Sequence, residues 1–455
     1  MADEPQPFPY NVLERMIKEL EARQADLHRL TEYHAGKHRL AFSSDKFRAA
    51  FGGLFSAFAD NFIPLVVNAV EERLNIQGFR MGTDPTADKD AWAIWQANDL
   101  DAASQLAHKQ ALIKGDGYVI VWADGDGKPK VSVETPNQCI IAYDPGDRTV
   151  RLAGLKAWLD SEGKHATLMF ADAVYRFKAS PANEETWVPD QKNDATWPMP
   201  NPLGEVSMVQ LVNDPSLDSN FGVSEFINVI PLQDAINKTV ADMIVASEYI
   251  AFPQRYVTGL ELEEDDQGNT KAPFQIAVDK LLVAEDAQAN FGTLPAGDTM
   301  NHIKQIEMLV QHVSTQTRTP PHYFNVGGNL PSGDAIKAAE TGLVAKARRK
   351  MRYFGEAWEE VIRLCFKVVG DPRADVTDGE TIWGNPEYRS ESELADALVK
   401  RAAIGVPRQQ LWEDAGYTQT QISRFHAMEV ADSLDTLLAP PAIPKLGSAP
   451  VVAEA

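Results

Sequence analysis

Residues 331–370 read PSGDAIKAAETGLVAKARRKMRYFGEAWEEVIRLCFKVVG. In this stretch Ile336, Ala339, Leu343, Ala347, Met351, Phe354, Trp358, Ile362, Cys365 and Val369 return every three or four positions. That spacing gathers side chains on one face of an α-helix. The pattern opens at Ser332 or Asp334, either of which can cap a helix with its side-chain oxygen, and Gly370, Asp371 and Pro372 close it. Roughly 36 residues at a rise of 1.5 Å span about 54 Å. A helix about three times the usual length forms the spine of a large domain or packs against neighbouring subunits.

Working upstream, two further helices precede it. Phe226, Ile230, Ile236, Val240, Met243 and Ile244 recur at helical spacing, and Pro231 interrupts an early turn. The expectation is a short helix, a bend, then a longer helix to about Tyr249. A second helix starts near Asp298 and carries Met300, Ile303, Ile306, Leu309, Val310 and Val313. Pro320 and Pro321 stop it at Thr319, because the residue before a proline is pushed out of helical geometry. Between the two lies a strongly acidic insert, and a Pro-Pro/Gly-Gly loop separates the second from the long helix. Few soluble enzymes need that order of parts.

The chain has 455 residues, 44% of them hydrophobic, enough for substantial cores divided among two to four domains. Lys and Arg number 43 against 65 Asp and Glu, a formal charge of -22. Such a balance argues against an electrostatic clamp on nucleic acid, which needs clustered cations, and leaves weak, sliding contact with DNA open. Cys139 and Cys365 are far apart, and the second lies on the apolar stripe of the long helix, so both read as small core residues. The first residues lack a basic segment followed by an apolar stretch, so no signal peptide is expected, and no apolar run is long enough to span a bilayer.

The N-terminal half alternates in period. Residues 1–10 are polar and Pro-rich; Asn11–Tyr33, Phe58–Leu74 and Trp92–Ile113 read as helices, with Asn75–Met81 as a turn or strand entry at Gly78. Tyr118–Trp122 and Lys130–Val133 flank Asp124, Gly125, Asp126 and Gly127 and read as a hairpin. Further strands are expected at Ile140–Tyr143, Arg151–Leu159, Ala166–Phe170 and Ala173–Lys178, then an exposed loop over 180–204. After a short strand at Thr381–Trp383, Ser390 with Glu393 and Thr418 with Gln421 form two capping boxes, opening helices to Ile404 and about Leu438. The Ala/Pro-rich tail from Ala439 reads as disordered.

Motifs for chemistry are weak. An EF-hand loop from Asp124 would place Pro129 and Thr135 where glycine and a carboxylate are required. Lys114-Gly115-Asp116-Gly117 lacks the glycine spacing and following Ser or Thr of a phosphate loop. Glu261, Glu263, Glu264, Asp265 and Asp266 repel one another and read as a solvated loop tip beside Gly268 and Asn269. No His-Glu-x-x-His pair, Cys/His cluster or Gly-x-Ser-x-Gly elbow occurs, so neither a metal nor a cofactor is expected. Lys346, Arg348, Arg349, Lys350 and Arg352 form a basic band in the long helix. It suits either a nucleic-acid contact or pairing with carboxylates of a neighbouring subunit; on so acidic a chain the interface reading is preferred.

The stretch from Gly222 to Gly370, with PQRYV at 253–257 and SGDAIKAAE at 332–340, resembles the portal proteins of tailed bacteriophages. YHAGKHRL at 33–40, NFIPLVVNAVEERLNIQGF at 61–79, Gly115–Val121, and Trp383–Gly416 with ELADALVK at 393–400 extend the resemblance over about Tyr33–Leu438. It rests on the order and spacing of these segments. The resemblance implies an α+β multidomain portal fold: an α/β wing, a two-helix stem, a small α/β clip, a long spine helix and a helical crown. On this sequence the wing is 11–221, the stem helices 222–249 and 298–318, and the clip 250–297. The tunnel loop is 319–333, the spine helix 334–370, a wing return strand 371–389 and the crown 390–438, with loose ends at 1–10 and 439–455.

The function so implied is a homo-oligomeric ring, usually a 12-mer, at one capsid vertex of the virion. Double-stranded DNA is packaged and ejected through it; the ring nucleates capsid assembly and docks the terminase large subunit and a head-completion or adaptor protein. Major capsid and scaffold proteins are the other implied partners, no membrane is involved, and the chain is made in the host cytoplasm. Asn325, Val326, Gly327, Gly328, Asn329 and Leu330 would face DNA, on a glycine-softened tip held by prolines. Lys304 and Arg318 would guide DNA past an otherwise repellent acidic lining, and Glu261, Glu263, Glu264, Asp265 and Asp266 would meet clip partners. The chain would be no enzyme, the packaging ATPase being a partner. The rival reading is a soluble multidomain enzyme using carboxylates of the α/β N-terminal half.

Overall fold

The computed structural model describes residues 7–38, 60–82, 86–180, 183–191, 196–251, 255–259, 288, 290–293, 299–324, 332–387 and 391–438. The chain divides into two compact units, one of residues 1–30, 67–225 and 331–455, the other of residues 31–66 and 226–330. The fold is α+β.

In the first unit, helix α1 (Tyr10–His34) buries Leu13, Met16, Leu20 and Leu27, one face of a 3.6-residue period. That face covers an antiparallel sheet of β4 (Cys139–Tyr143), β5 (Arg151–Asp160), β6 (Gly163–Met169), β7 (Ala173–Ser180) and β8 (Asn183–Pro189), with β9 (Met199–Pro200) beside β7. Alternation along the strands sends Ile140, Leu155, Leu168 and Phe177 toward α1. It sends Cys139, Ile141, Met169 and Val174 to the opposite face, where they meet Tyr118, Ile120 and Met208 of a second sheet. The second sheet has β2 (Asp116–Ala123) between β10 (Met208–Val212) and β3 (Pro129–Glu134), all antiparallel.

Helix α7 (Gly333–Val368) lies on β10, β2 and β13 (Glu380–Trp383), the last paired with β1 (Ile76–Arg80). Ser332 caps α7 by accepting the Ala335 amide, and Leu343, Ala347, Met351, Phe354, Trp358, Ile362 and Cys365 are buried on it. Helices α3 (Lys89–Ala97) and α4 (Leu100–Lys114) add Trp95 and His108 around Trp358. Three helices follow, α8 (Glu391–Ala403), α9 (Arg408–Asp414) and α10 (Gln419–Leu438); in the capping box of α10 the Thr418 amide donates to Gln421 at 2.9 Å.

The second unit is built on a helix pair, α5 (Ile230–Ala251) and α6 (Met300–Thr317), with β11 (Arg255–Thr258) pairing antiparallel with β12 (Asn290–Thr293). A 3-10 turn at Ile227–Val229 precedes α5, and Pro231 sits in the first turn of α5, where its missing N–H costs nothing. Tyr33 donates to the Asp234 carboxylate at 2.9 Å, Gln233 bonds both the Phe62 amide and the Asp60 carbonyl, and Phe62 packs on Phe324. Helix α2 (Ile63–Glu71) carries the chain from this unit back to the first.

Several expectations need correction. Trp92–Ile113 is not one helix: the chain breaks at Asn98 and Asp99, where Asp99 takes a left-handed conformation (φ 52°). Asn98 turns its amide to the Ile94 and Pro129 carbonyls and accepts the Val131 amide, trading a helical turn for a link to β3. Residues 180–204 are not a plain loop, because β8 and β9 both pair with β7, and Trp197 packs on Tyr175 and Phe177. Among the described residues after 390 there are three helices rather than two, the middle one opened by Pro407. The hairpin at 118–133 is as expected, with Asp124 accepting the Asp126 and Lys128 amides and Gly127 at φ 78°.

Candidate functional site

The basic band on α7 is where sequence and structure differ most. Lys346 and Lys350 stand four residues apart and fall on the inward face, so their ammoniums are buried. Lys350 Nζ lies 2.8 Å from Asp214 Oδ2 and 2.9 Å from Glu225 Oε2, and Lys346 Nζ lies 2.8 Å from Glu225 Oε1. Burial pushes the Glu225 carboxyl up, but the two ammoniums beside it outweigh that and hold it below the usual carboxylate range. The Lys346 ammonium is shifted down by burial, against the attraction of Glu225. The rest of the band points outward: Arg349 pairs with Asp214 at 2.7 Å, Arg348 with Glu387 at 2.5 Å, and Arg352 is exposed. The five cations therefore do not form one surface: two are buried, and four pair with carboxylates of their own chain.

Asp214 and Glu225 bracket the segment by which the chain leaves the first unit. Asp214 has φ 48°, a left-handed turn that Asp tolerates. The Asn213 amide donates to the Gly115 carbonyl, the Val223 amide to the Asn213 carbonyl and the Glu225 amide to the Leu112 carbonyl, each at 2.8 Å. The Gly222 amide and Gln210 both donate to Asp116 Oδ1, at 2.8 and 2.9 Å, and Arg23 pairs with the other oxygen. Asp116 is fully buried; burial raises its pKa and Arg23 opposes the shift. Glycine is required at 222, since a Cβ there would stand 2.2 Å from the Gly115 carbonyl oxygen and 2.5 Å from that of Asn213.

In the second unit, burial on the helix pair is confined to one end. Ile236, Val240 and Ala241 of α5 and Val313, Ser314 and Thr317 of α6 are buried. Further along α6, Met300, Ile303 and Met308 are 51%, 38% and 50% exposed, although the first two belong to its apolar stripe. An amphipathic helix whose stripe is half open to water has a face available to another chain. Lys304 is exposed on the same helix, and Arg318 is exposed at its C-terminal cap, at φ 54°. The Asn325–Leu330 loop and the acidic run Glu261, Glu263, Glu264, Asp265 and Asp266 lie outside the described residues.

Sequence reading missed Asp116, Arg23, Asp214 and Glu225. The only local signal was Lys346 and Lys350 themselves, four apart beside Leu343, Ala347 and Met351: lysines on an apolar face imply buried partners.

These features define an α+β protein, a long helix on a sheet layer with two of its lysines buried against Asp214 and Glu225, beside a helix pair whose apolar stripe is partly exposed. The pattern of the family described as phage portal protein, SPP1 Gp6-like, matches residues 56–428, and the chain belongs to that family. The portal protein of Mycobacterium phage D29 is 29% identical over 399 residues, covering 82% of this chain and 80% of its own. The portal protein of Mycobacterium phage L5 is 28% identical over 396 residues, covering 82% and 79%. Among solved structures, a chain of the virion of a native gene transfer agent particle is similar over 86% of this chain and 93% of its own, at 11% identity and a TM-score of 0.47. A chain of the neck of the native particle, computed with C12 symmetry, gives 11% identity and 0.43 over 86% and 98%.

Proposed function

We propose that this chain forms the portal ring of a tailed phage, a non-enzymatic conduit through which double-stranded DNA enters and leaves the capsid. The observation that carries this reading is the family match over residues 56–428, joined by two relatives that are themselves named portal proteins. The ring is a homo-oligomer, twelve-fold in this reading, at the capsid vertex of the virion. Its partners are the terminase large subunit, the adaptor that completes the head, and the major capsid and scaffold proteins.

Physical chemistry supports each part. The partly open stripe of α6 fits helix packing between copies, which supports reading α5 and α6 as the stem. A charge of -22 per copy gives the assembly a field that repels phosphates and keeps DNA from adhering. Exposed Lys304 and Arg318 relieve that repulsion locally. The segment between the stem helices is the clip, residues 319–333 the tunnel loop, α7 the spine, and α8 to α10 the crown.

Negative-stain images and sedimentation of the purified protein test the ring. A large particle with a central hole is expected; a monomer or dimer that persists with scaffold and capsid protein present refutes it. Deleting Asn325–Asn329 is expected to leave the ring intact and reduce packaging or retention of DNA, and normal packaging by that variant refutes the tunnel-loop assignment.

A further inference from the structure

Helices α9 and α10 are held to each other largely by aromatic rings and to the rest of the first unit largely by polar contacts. The Trp412 ring lies 5.5 Å from Phe425, which meets Tyr417 edge-on at 4.9 Å, and Arg408 pairs with Glu429. Among the described residues of the two helices the buried ones are Glu413, Gln419 and Ile422, and only the last is apolar. Their attachment runs along β1 and α3. Arg80 Nη2 donates to Glu413 Oε2 at 2.9 Å, Gln77 Nε2 to the Gly416 carbonyl at 3.0 Å, and Trp92 Nε1 to Thr420 Oγ1 at 3.0 Å. The approach is close: a Cβ on Gly78 would stand 2.6 Å from Gln419 Cγ.

This seam leaves part of its polar capacity unmet. Glu413 Oε1, Gln77 Oε1 and Gln419 Nε2 are buried in it with no hydrogen-bond partner among the described residues. A buried polar atom without a partner costs its full desolvation, so closing the seam gives up stability that an apolar seam would keep. Arg80 is also shared, since its other nitrogen pairs with the exposed Glu380 of β13. Between α8 and α9 the chain turns at Gly405, φ 91°, with no atom within 4 Å of where a Cβ would stand. Arg401 pairs with Asp414 across that turn, a partly exposed contact that adds little to hold it.

We infer that α9 and α10 form a hinged flap that swings off β1 as one body about Gly405, with the Arg80–Glu413 pair as its latch. The aromatic contacts inside the flap keep it folded once open, and a seam with so little apolar burial opposes the motion weakly. Glu413 sets the balance: closed, its buried charge depends on Arg80, and open, water solvates it. Opening uncovers the edge of β1 around Gln77 and Gly78. The inference concerns the single chain and does not rest on the ring reading.

The test uses the full chain carrying Gln419→Cys, a buried position whose side-chain nitrogen makes no hydrogen bond. Cys139 and Cys365 are buried in the core of the unit and on α7, so their labelling reports opening of the unit as a whole. Maleimide is expected to reach the introduced thiol about tenfold or more faster than either native one, because a local opening is enough. Adding Arg80→Met is expected to speed the introduced thiol by about tenfold again and leave the native thiols unchanged, since it strands Glu413 in the closed seam. Gly78→Ala, which crowds the same seam without touching a charge, is expected to act in the same direction. Equal rates for all three thiols in every variant would mean that the seam opens only when the unit unfolds, and would overturn the inference. Hydrogen exchange separates a swing from melting: protection of the α10 amides that persists while the introduced thiol labels supports the flap, and protection lost in step with labelling overturns it.

Discussion

Lowering the pH from about 7 to about 5 is expected to weaken the first unit through one buried histidine, and the magnitude follows from its surroundings. His108 is fully buried, stacked on Phe354 with ring centroids 5.3 Å apart, and its Nε2 accepts the Trp358 indole N–H at 2.9 Å. An acceptor nitrogen carries no proton, so the ring is neutral with its proton on Nδ1. Burial drives its pKa from 6.5 down to about 3. A base whose folded pKa lies below its unfolded one binds more protons when unfolded, so stability falls as pH falls through the window from about 6.5 to about 3. Between pH 7 and pH 5 the linkage amounts to about 2 kcal/mol, or roughly 3 °C in melting temperature for a unit of this size. Carboxylates also respond to acid, so the measurement is a double difference. Thermal melts of the parent and of His108→Gln, followed by tryptophan fluorescence at the two pH values, should show the parent losing about 2 kcal/mol more. Parallel losses in both proteins would refute a neutral, desolvated His108.

Two further outcomes follow from the geometry. Gly222→Ala should destabilise the first unit by about 2–4 kcal/mol, because the added methyl meets two carbonyl oxygens that are themselves fixed by hydrogen bonds; a melt within 1 °C of the parent would contradict that packing. Ile303→Asp with Met308→Asp should weaken self-association at least tenfold by sedimentation while leaving the far-ultraviolet circular dichroism unchanged, since both side chains are exposed within their own chain; undiminished association would remove α6 from the contact.

Helix periodicity and punctuation carried most of what could be read in advance. The apolar positions from Ile336 to Cys365 declared the length of α7, Ser332 or Asp334 its start, and Gly370 its end, because a helix buried on one face repeats that face every 3.6 residues. The Asp124–Gly127 turn and the Thr418 capping box are equally local, each satisfied by residues within four positions. The break at Asn98 was hidden, since what ends that helix is a hydrogen bond to β3, 33 residues away. So was β8, whose polar sequence becomes a strand only because the edge of β7 is there to pair with.

The sequence by itself determined the order of elements, the acidic balance, and the family resemblance that rests on that order. What each charge does was decided by tertiary structure alone. Lys346, Arg348, Arg349, Lys350 and Arg352 look alike in a row, yet the helical rotation turns two inward and three outward, and the inward pair finds Asp214 and Glu225 from 120 or more positions upstream. The physical reason is that burial makes an ammonium depend on its partners for stability, and those partners are set by the fold rather than by neighbours in the chain.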